Sequence, residues 1–379
     1  MGVLLVVFLG SLVGEVVQAE ARHELPQTAR LAQGVGPTPR DDGERVASSH
    51  APAGPSFSIF LPLVLKNYGQ PLLMGVYPAG WLSLEATFTG ELVPLDTWTG
   101  KQHSLVGTFL DIQQSIYVVS TLSATWDHGY TPFVNMMAPG TTAAQIADGS
   151  MDSHLNSWAL AFKTYAEGGA GRAAFIAPLP EMNGNWTPYY NADPTYFKNA
   201  FAHIRQVFAN NGVPAGSVRW VFAPNGYSLA EDPFEEYYPG DSVTDIIGFS
   251  SYNYGFYPSY GSRWDNPSFT FGNYLPRLRA MTSTKPIIFS QTGTTAWASV
   301  SGRDDSAKNQ WLIDAFTYLA GQAQVRGLIY YNIQGWEVID WPVHLNGALT
   351  DYTGYQTGAA NPAYRYIAPA ELKNMPLLP

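Results

Sequence analysis

Two polar residues break apolar runs in places where chemistry could be done. Glu181 leaves the run "RAAFIAPLPE" (172–181) and is followed by "MNGNW", with Trp186 and Tyr189 close by in the chain. An isolated carboxylate that leaves a strand beside aromatic residues suits a general acid or base. A competing reading makes Asn183-Gly184 an ordinary tight hairpin turn. The second break is in "KPIIFSQTGTTAW" (285–297), where a buried run ends on Gln291 just before a Thr-Gly turn. Gln291 is a neutral amide and can act as neither acid, base nor nucleophile.

Other chemistries find no support in the sequence. The seven His residues show no metal-ligand spacing, and there is no cysteine for a disulfide, a thiolate nucleophile or a metal site. "GFSSYNYG" lacks the second glycine of a nucleophile elbow. No phosphate-loop sequence occurs, and "EGGAG" (167–171) reads as a loop before a strand. No metal or organic cofactor is therefore expected. The net charge of −10 argues against nucleic acid, whose phosphates it would repel. Eleven Trp and 23 Tyr exceed ordinary packing needs; they suit either a large aromatic core or stacking on a flat ligand.

The elements that must hold Glu181 and Gln291 can be read from the apolar pattern. Eight strand-like runs lie at 72–78, 104–111, 131–140, 172–181, 217–225, 245–253, 286–291 and 327–335. Most are apolar on both faces, as strands buried in a parallel sheet are. Helical patterns intervene, at 142–167, 194–210 and 305–321 among others, and Asp193 before Pro194 forms an N-cap with proline in the first position. Eight β-then-α units predict the α/β class and a (β/α)₈ TIM barrel. A doubly wound sheet would favour a glycine-rich turn after the first strand, and "GVYPAGW" has none of that spacing. The strand ends then offer Tyr77, Asp111, Asn135, Glu181, Asn225, Tyr252, Gln291 and Asn332.

From about residue 72 to 345 the chain resembles glycoside hydrolase family 26, the β-mannanase family of a large (β/α)₈ glycosidase clan. "EMNGNW" is similar to its fourth-strand acid/base motif and "VRWVFAPN" to its fifth strand, ending on Asn225. "DIIGFSSYNY" resembles the sixth and "YYNIQGWEVIDWPV" the eighth. The resemblance implies a retaining glycosidase with Glu181 as acid/base and Tyr252 holding the nucleophile by a hydrogen bond. Trp186, Tyr189, Asn225, Tyr252, Trp297 and Trp336 are then the expected substrate contacts. The chain departs from the family at two positions. Pro180 stands where the family has His, and Gln291 stands where it has the nucleophilic Glu.

Three accounts follow from Gln291. In the first, the protein is a β-glycan hydrolase by descent, of mannan type as the resemblance implies, whose covalent step fails. In the second, Glu337 or Asp340 activates water for inversion, which needs a separation of roughly 6.5–9.5 Å from Glu181. In the third, the domain binds polysaccharide without cleaving it. The expected organisation is a signal peptide over 1–19, a disordered linker over 20–56, an apolar arm over 57–70 and the barrel domain over 71–379. That organisation implies a secreted, extracellular and bacterial protein, free of the membrane after cleavage of the signal, and a monomer.

Overall fold

The computed structural model of the protein describes residues 71–169, 171–226, 233–258, 261–334, 340–344 and 351–378. The expected signal peptide, linker and apolar arm lie outside these residues, as do Trp336 and Glu337. Eight parallel strands close into a barrel in the order of the sequence: β1 Leu73–Tyr77, β2 Leu105–Asp111, β3 Thr131–Met137 and β4 Ala174–Pro178, then β5 Val218–Phe222, β6 Ile246–Asn253, β7 Ile287–Thr294 and β8 Val325–Tyr331. The barrel closes where β1 pairs with β8, from Leu73↔Gly327 to Tyr77↔Tyr331. The (β/α)₈ expectation is met.

Strand side chains alternate between two cores, as a period of two demands. Leu73, Leu105, Phe133, Phe175, Val221, Ile246, Ile288 and Ile329 face one another inside the barrel. Val76, Val106, Val134, Ile176, Phe222, Phe249 and Phe289 face outward to the helices, whose buried stripes include Leu155, Trp158 and Phe162 of the helix Asp152–Glu167. The helix Pro194–Asn210 begins as expected, with the Asp193 side chain accepting from the Thr195 amide. The expected helix over 142–167 is two helices instead, Ala143–Ala147 and Asp152–Glu167. Gly149 separates them at φ 84°, a left-handed conformation that a continuous helix cannot contain.

The chain's last segment closes the floor of the barrel. Ile367, Leu372 and Leu377 join the inner core, and the Arg219 guanidinium donates to the carbonyls of Leu372, Lys373 and Met375. Arg326 and Lys101 hold neighbouring carbonyls of Leu377 and Tyr364. With the floor sealed, ligand access is left to the face carrying the strands' C-terminal ends.

Candidate active site

Glu181 sits in a strained turn. Three described non-glycine residues have positive φ, and two of them, Leu179 (51°) and Glu181 (59°), bracket Pro180. A residue before proline is normally extended, and a left-handed conformation costs a bulky side chain about 1–3 kcal/mol. The turn persists because its backbone is tied on both sides. Leu179 N donates to Met136 O (2.9 Å) and Glu181 N to Ala223 O (2.7 Å), anchoring it to β3 and to the end of β5. Strain held this way aims a side chain at one position, and here the side chain is Glu181.

The carboxylate is 6% exposed and each oxygen has a donor. Asn225 Nδ2 donates to Oε1 (2.9 Å) and Trp186 Nε1 to Oε2 (3.1 Å). Asn225 is fixed in turn by a reciprocal pair: its amide N donates to Asn183 Oδ1 and its carbonyl accepts from Asn183 Nδ2, both at 2.9 Å. Asn183-Gly184 is thus no hairpin. It lashes the β4 loop to β5, and those two strands run parallel. Gly184 is required at its place, because a Cβ there would lie 2.2 Å from the Trp186 ring.

Gln291 lies across the barrel mouth on β7. The strand does not end there, as the apolar run suggests, but continues to Thr294. Its register shifts between Gly248 and Ser250 of β6, and again on the β8 side between Phe289 and Thr292. Gln291 therefore sits on an irregular stretch of strand, the kind of local kink that re-aims a side chain. It is 6% exposed, and Tyr252 donates its hydroxyl to Gln291 Oε1 (3.2 Å). Tyr77 lies between the two sides. Its hydroxyl donates to Ser290 O and accepts from Asn135 Nδ2, both at 2.9 Å. Burial, with the nearby charges of Tyr331 and Glu181, raises the Tyr77 pKa far above the ordinary phenol value, so it remains a neutral donor.

The remaining expected residues divide. Trp186, Asn225 and Tyr252 are at the site. Tyr189 is buried at 1% and donates to Pro180 O (2.7 Å), so it braces the strained turn and offers no face to a ligand; this corrects the expected sugar contact. Trp297 is half-buried one loop further out, its ring edge-on to Tyr257 at 6.0 Å. Asn332 and Asp111 serve loops: Asn332 Oδ1 accepts from Val343 N, and Asp111 Oδ1 from Gln113 N.

Asp340 is a structural carboxylate. One oxygen accepts from the Thr295 hydroxyl; the other accepts from Ala296 N (2.9 Å) and pairs with Arg303 (3.3 Å). With both oxygens taken up in pinning the β8 loop to the end of β7, Asp340 is not available as a water-activating base. Among the described residues no group of three metal-ligating side chains occurs, and no helix is long and apolar enough to cross a membrane.

Some residues at the mouth escaped the sequence reading. Tyr331 closes β8 and lies 5.7 Å from Tyr77 and 6.0 Å, edge-on, from Tyr252. Phe109 stacks on Tyr77 at 5.4 Å, and Trp341 lies 5.2 Å from both Tyr252 and Tyr254. These rings form a continuous aromatic wall from β2 past β1 and β8 to β6. Inward alternation from Ile329 points to Tyr331; for Trp341 the signal is its place after Asp340 in "YYNIQGWEVIDWPV", the stretch that resembles the family's eighth strand.

The comparisons with known proteins bear on this geometry. No family model matches the chain. It is 27% identical over 261 residues to Endoglucanase H of Acetivibrio thermocellus, covering 66% of this chain and 27% of that enzyme, so it spans about a quarter of the enzyme's length. The catalytic domain of a family 26 endo-β-1,4-mannanase from a Bacillus species superposes with a TM-score of 0.59 at 16% identity, covering 81% of this chain and 90% of that one. The chain has the fold of the family 26 mannanases. A β-mannanase from a symbiotic protist of the termite Reticulitermes speratus, complexed with a gluco-manno-oligosaccharide, superposes at 0.55 and 17% identity over 81% of this chain and 90% of that one. For the Cellulomonas fimi endo-β-1,4-mannanase the values are 0.57 and 14%, over 79% of this chain and 72% of that one.

Proposed function

We propose that the chain is a family 26-type glycoside hydrolase scaffold that takes a β-linked polysaccharide, of mannan type by kinship, across the open face of the barrel. The observation that carries the reading is Glu181, held in a strained turn with one oxygen on Trp186 and the other on Asn225, across the mouth from the Tyr252–Gln291 pair. In a scaffold of this type Glu181 is the group placed to protonate the glycosidic oxygen as the bond breaks and then to draw a proton from the incoming water. The aromatic wall supplies faces for sugar rings. The protein acts outside the cell, consistent with the apolar run near its first residues.

On plain mannan or glucan the chain is a binder with a blocked first step. Attack on the anomeric carbon needs a carboxylate, and Gln291 has no charge and no nucleophilic oxygen of comparable basicity. Loss of one member of a catalytic unit costs on the order of 10⁴–10⁶ in rate. The test is reducing-sugar release from mannan, mixed-linkage glucan and xylan by the native chain and by Gln291→Glu. Activity that appears only in Gln291→Glu supports the reading. Failure of either protein to bind any of the three polysaccharides overturns it.

A further inference from the structure

The site is built on both sides, yet the side that should attack is neutral. Gln291 is not a collapsed remnant: it is 6% exposed, the same as Glu181, and its carbonyl oxygen is oriented by the Tyr252 hydroxyl at 3.2 Å. An amide oxygen has two lone pairs, and Tyr252 takes one. A second donor, an N–H, would complete it. Asp340, the carboxylate nearest in sequence to the β8 end among the described residues, is committed to Thr295, Ala296 and Arg303. A neutral acceptor facing an intact acid/base fits a reaction whose nucleophile comes with the substrate.

We propose that the intact chain cleaves β-linked glycans carrying a 2-acetamido group, with the substrate's own acetamido oxygen as nucleophile and Gln291 Oε1 as acceptor for the acetamido N–H. This rests on the proposed glycan reading and names the substrate class for it. In the first step the acetamido oxygen bonds to C1 while the C1–O glycosidic bond breaks. The electron pair of that bond stays on the leaving oxygen, which takes the proton of Glu181. The oxazolinium ring so formed spreads its positive charge over N, C and O, and its N–H is held by Gln291. In the second step Glu181 takes a proton from water as the water oxygen bonds to C1 and the ring C1–O bond opens. The acetamide is restored, and two displacements leave the anomeric configuration retained.

The chemistry gains from being intramolecular: a well-oriented neighbouring group has an effective concentration of about 10⁵–10⁸ M, which can replace a protein nucleophile. Glutamine keeps the acceptor that this route needs and lacks the charged oxygen that would compete for C1. The rings of Tyr331 and Trp341 lie 6.0 and 5.2 Å from Tyr252, the residue that donates to Gln291, and an acetyl methyl group held at Gln291 would be placed against this aromatic wall.

The experiment compares chitohexaose, mannohexaose and cellohexaose. Turnover is measured on the native chain by chromatography and proton NMR, and binding on Glu181→Gln by calorimetry. The expected result is cleavage of chitohexaose alone, with the β-anomer formed first, inhibition by a thiazoline analogue of the cyclic intermediate, and a loss of at least 100-fold in Gln291→Ala whose urea midpoint is unchanged. Should Gln291→Ala fold poorly, an N-trifluoroacetyl substrate replaces it; its weaker carbonyl nucleophile should slow the native chain at least 10-fold. Chitohexaose left intact while mannohexaose binds overturns this inference and leaves the glycan reading standing. Cleavage of mannohexaose by the native chain, abolished in Glu337→Gln, overturns it in favour of a protein base. No binding of any of the three removes both readings.

Discussion

Replacing Lys308 by methionine tests how the loop under the aromatic wall is held. Lys308 is 0% exposed on the helix Asp305–Ala320, and its ammonium donates to the carbonyls of Asp340, Trp341 (3.2 Å) and Pro342 (3.1 Å), below the Tyr352 ring at 4.1 Å. In Lys308→Met, Trp341 O keeps the Tyr330 hydroxyl at 2.9 Å, but Asp340 O and Pro342 O lose the donor that the structure gives them. A buried acceptor left dry costs about 1–3 kcal/mol, so two cost roughly 2–6. Relief from burying a cation returns part of this, leaving a net loss of about 3 kcal/mol at pH 7.

The pH dependence carries a sign. Burial pulls the Lys308 ammonium from its ordinary 10.5 down to about 7, with Arg303 acting in the same direction and the Asp340 and Asp305 carboxylates opposing. Between pH 7 and 10.5 the unfolded chain therefore binds more protons at this residue than the folded one, and native stability rises with pH at up to about 1.4 kcal/mol per unit. Methionine has no such term. The stability gap between native and variant should be flat below pH 7 and widen by about 2–3 kcal/mol from pH 7 to 9. Urea unfolding followed by tryptophan fluorescence at pH 6, 7, 8 and 9 measures it. Comparing the two proteins cancels the buried tyrosines, which act in the opposite sense near pH 10. A gap that stays constant or narrows above pH 7 would show that the three carbonyls keep Lys308 charged, refuting the reasoning.

Other expectations follow from the same contacts. Asp340→Asn should lose about 1–3 kcal/mol of stability in urea, because an amide cannot accept from both the Thr295 hydroxyl and Ala296 N with its two ends; a variant of native stability that has lost turnover would instead restore Asp340 as a base. Gly184→Ala forces the Trp186 ring off Glu181, since the new Cβ would lie 2.2 Å from it, and should cut turnover or oligosaccharide affinity at least tenfold with about 1–3 kcal/mol lost in unfolding. Gly293→Ala presses on Trp341 at 3.1 Å and Tyr252 at 3.4 Å, so calorimetric affinity for the glycan should fall while unfolding in urea loses about 1 kcal/mol of stability. Removing residues 366–379 takes Ile367, Leu372 and Leu377 from the barrel floor; at about 2 kcal/mol each this approaches the whole stability of a domain, and circular dichroism should report an unfolded chain.

The sequence by itself determined the barrel. Strands buried on both faces must be apolar throughout, and that pattern, repeated eight times with helices between, is visible without coordinates. It also determined that Glu181 and Gln291 interrupt those runs, because a polar residue in a dry strand is costly unless it has a task. The aim of these side chains was decided only by the tertiary structure. The positive φ of Leu179 and Glu181 is sustained by hydrogen bonds to β3 and to the end of β5, and the kink at Gln291 arises from register shifts against two neighbouring strands. No local pattern encodes contacts between residues some forty positions apart. The same holds for the partition of the aromatic and acidic residues. Tyr189 and Tyr331 look alike in sequence, yet one is sealed beneath a turn and the other closes β8 at the mouth. Asp340 looks like a spare catalytic carboxylate until the fold brings Thr295, Ala296 and Arg303 onto it. Burial and pairing across the barrel assign those roles, and both are properties of the closed sheet rather than of any single strand.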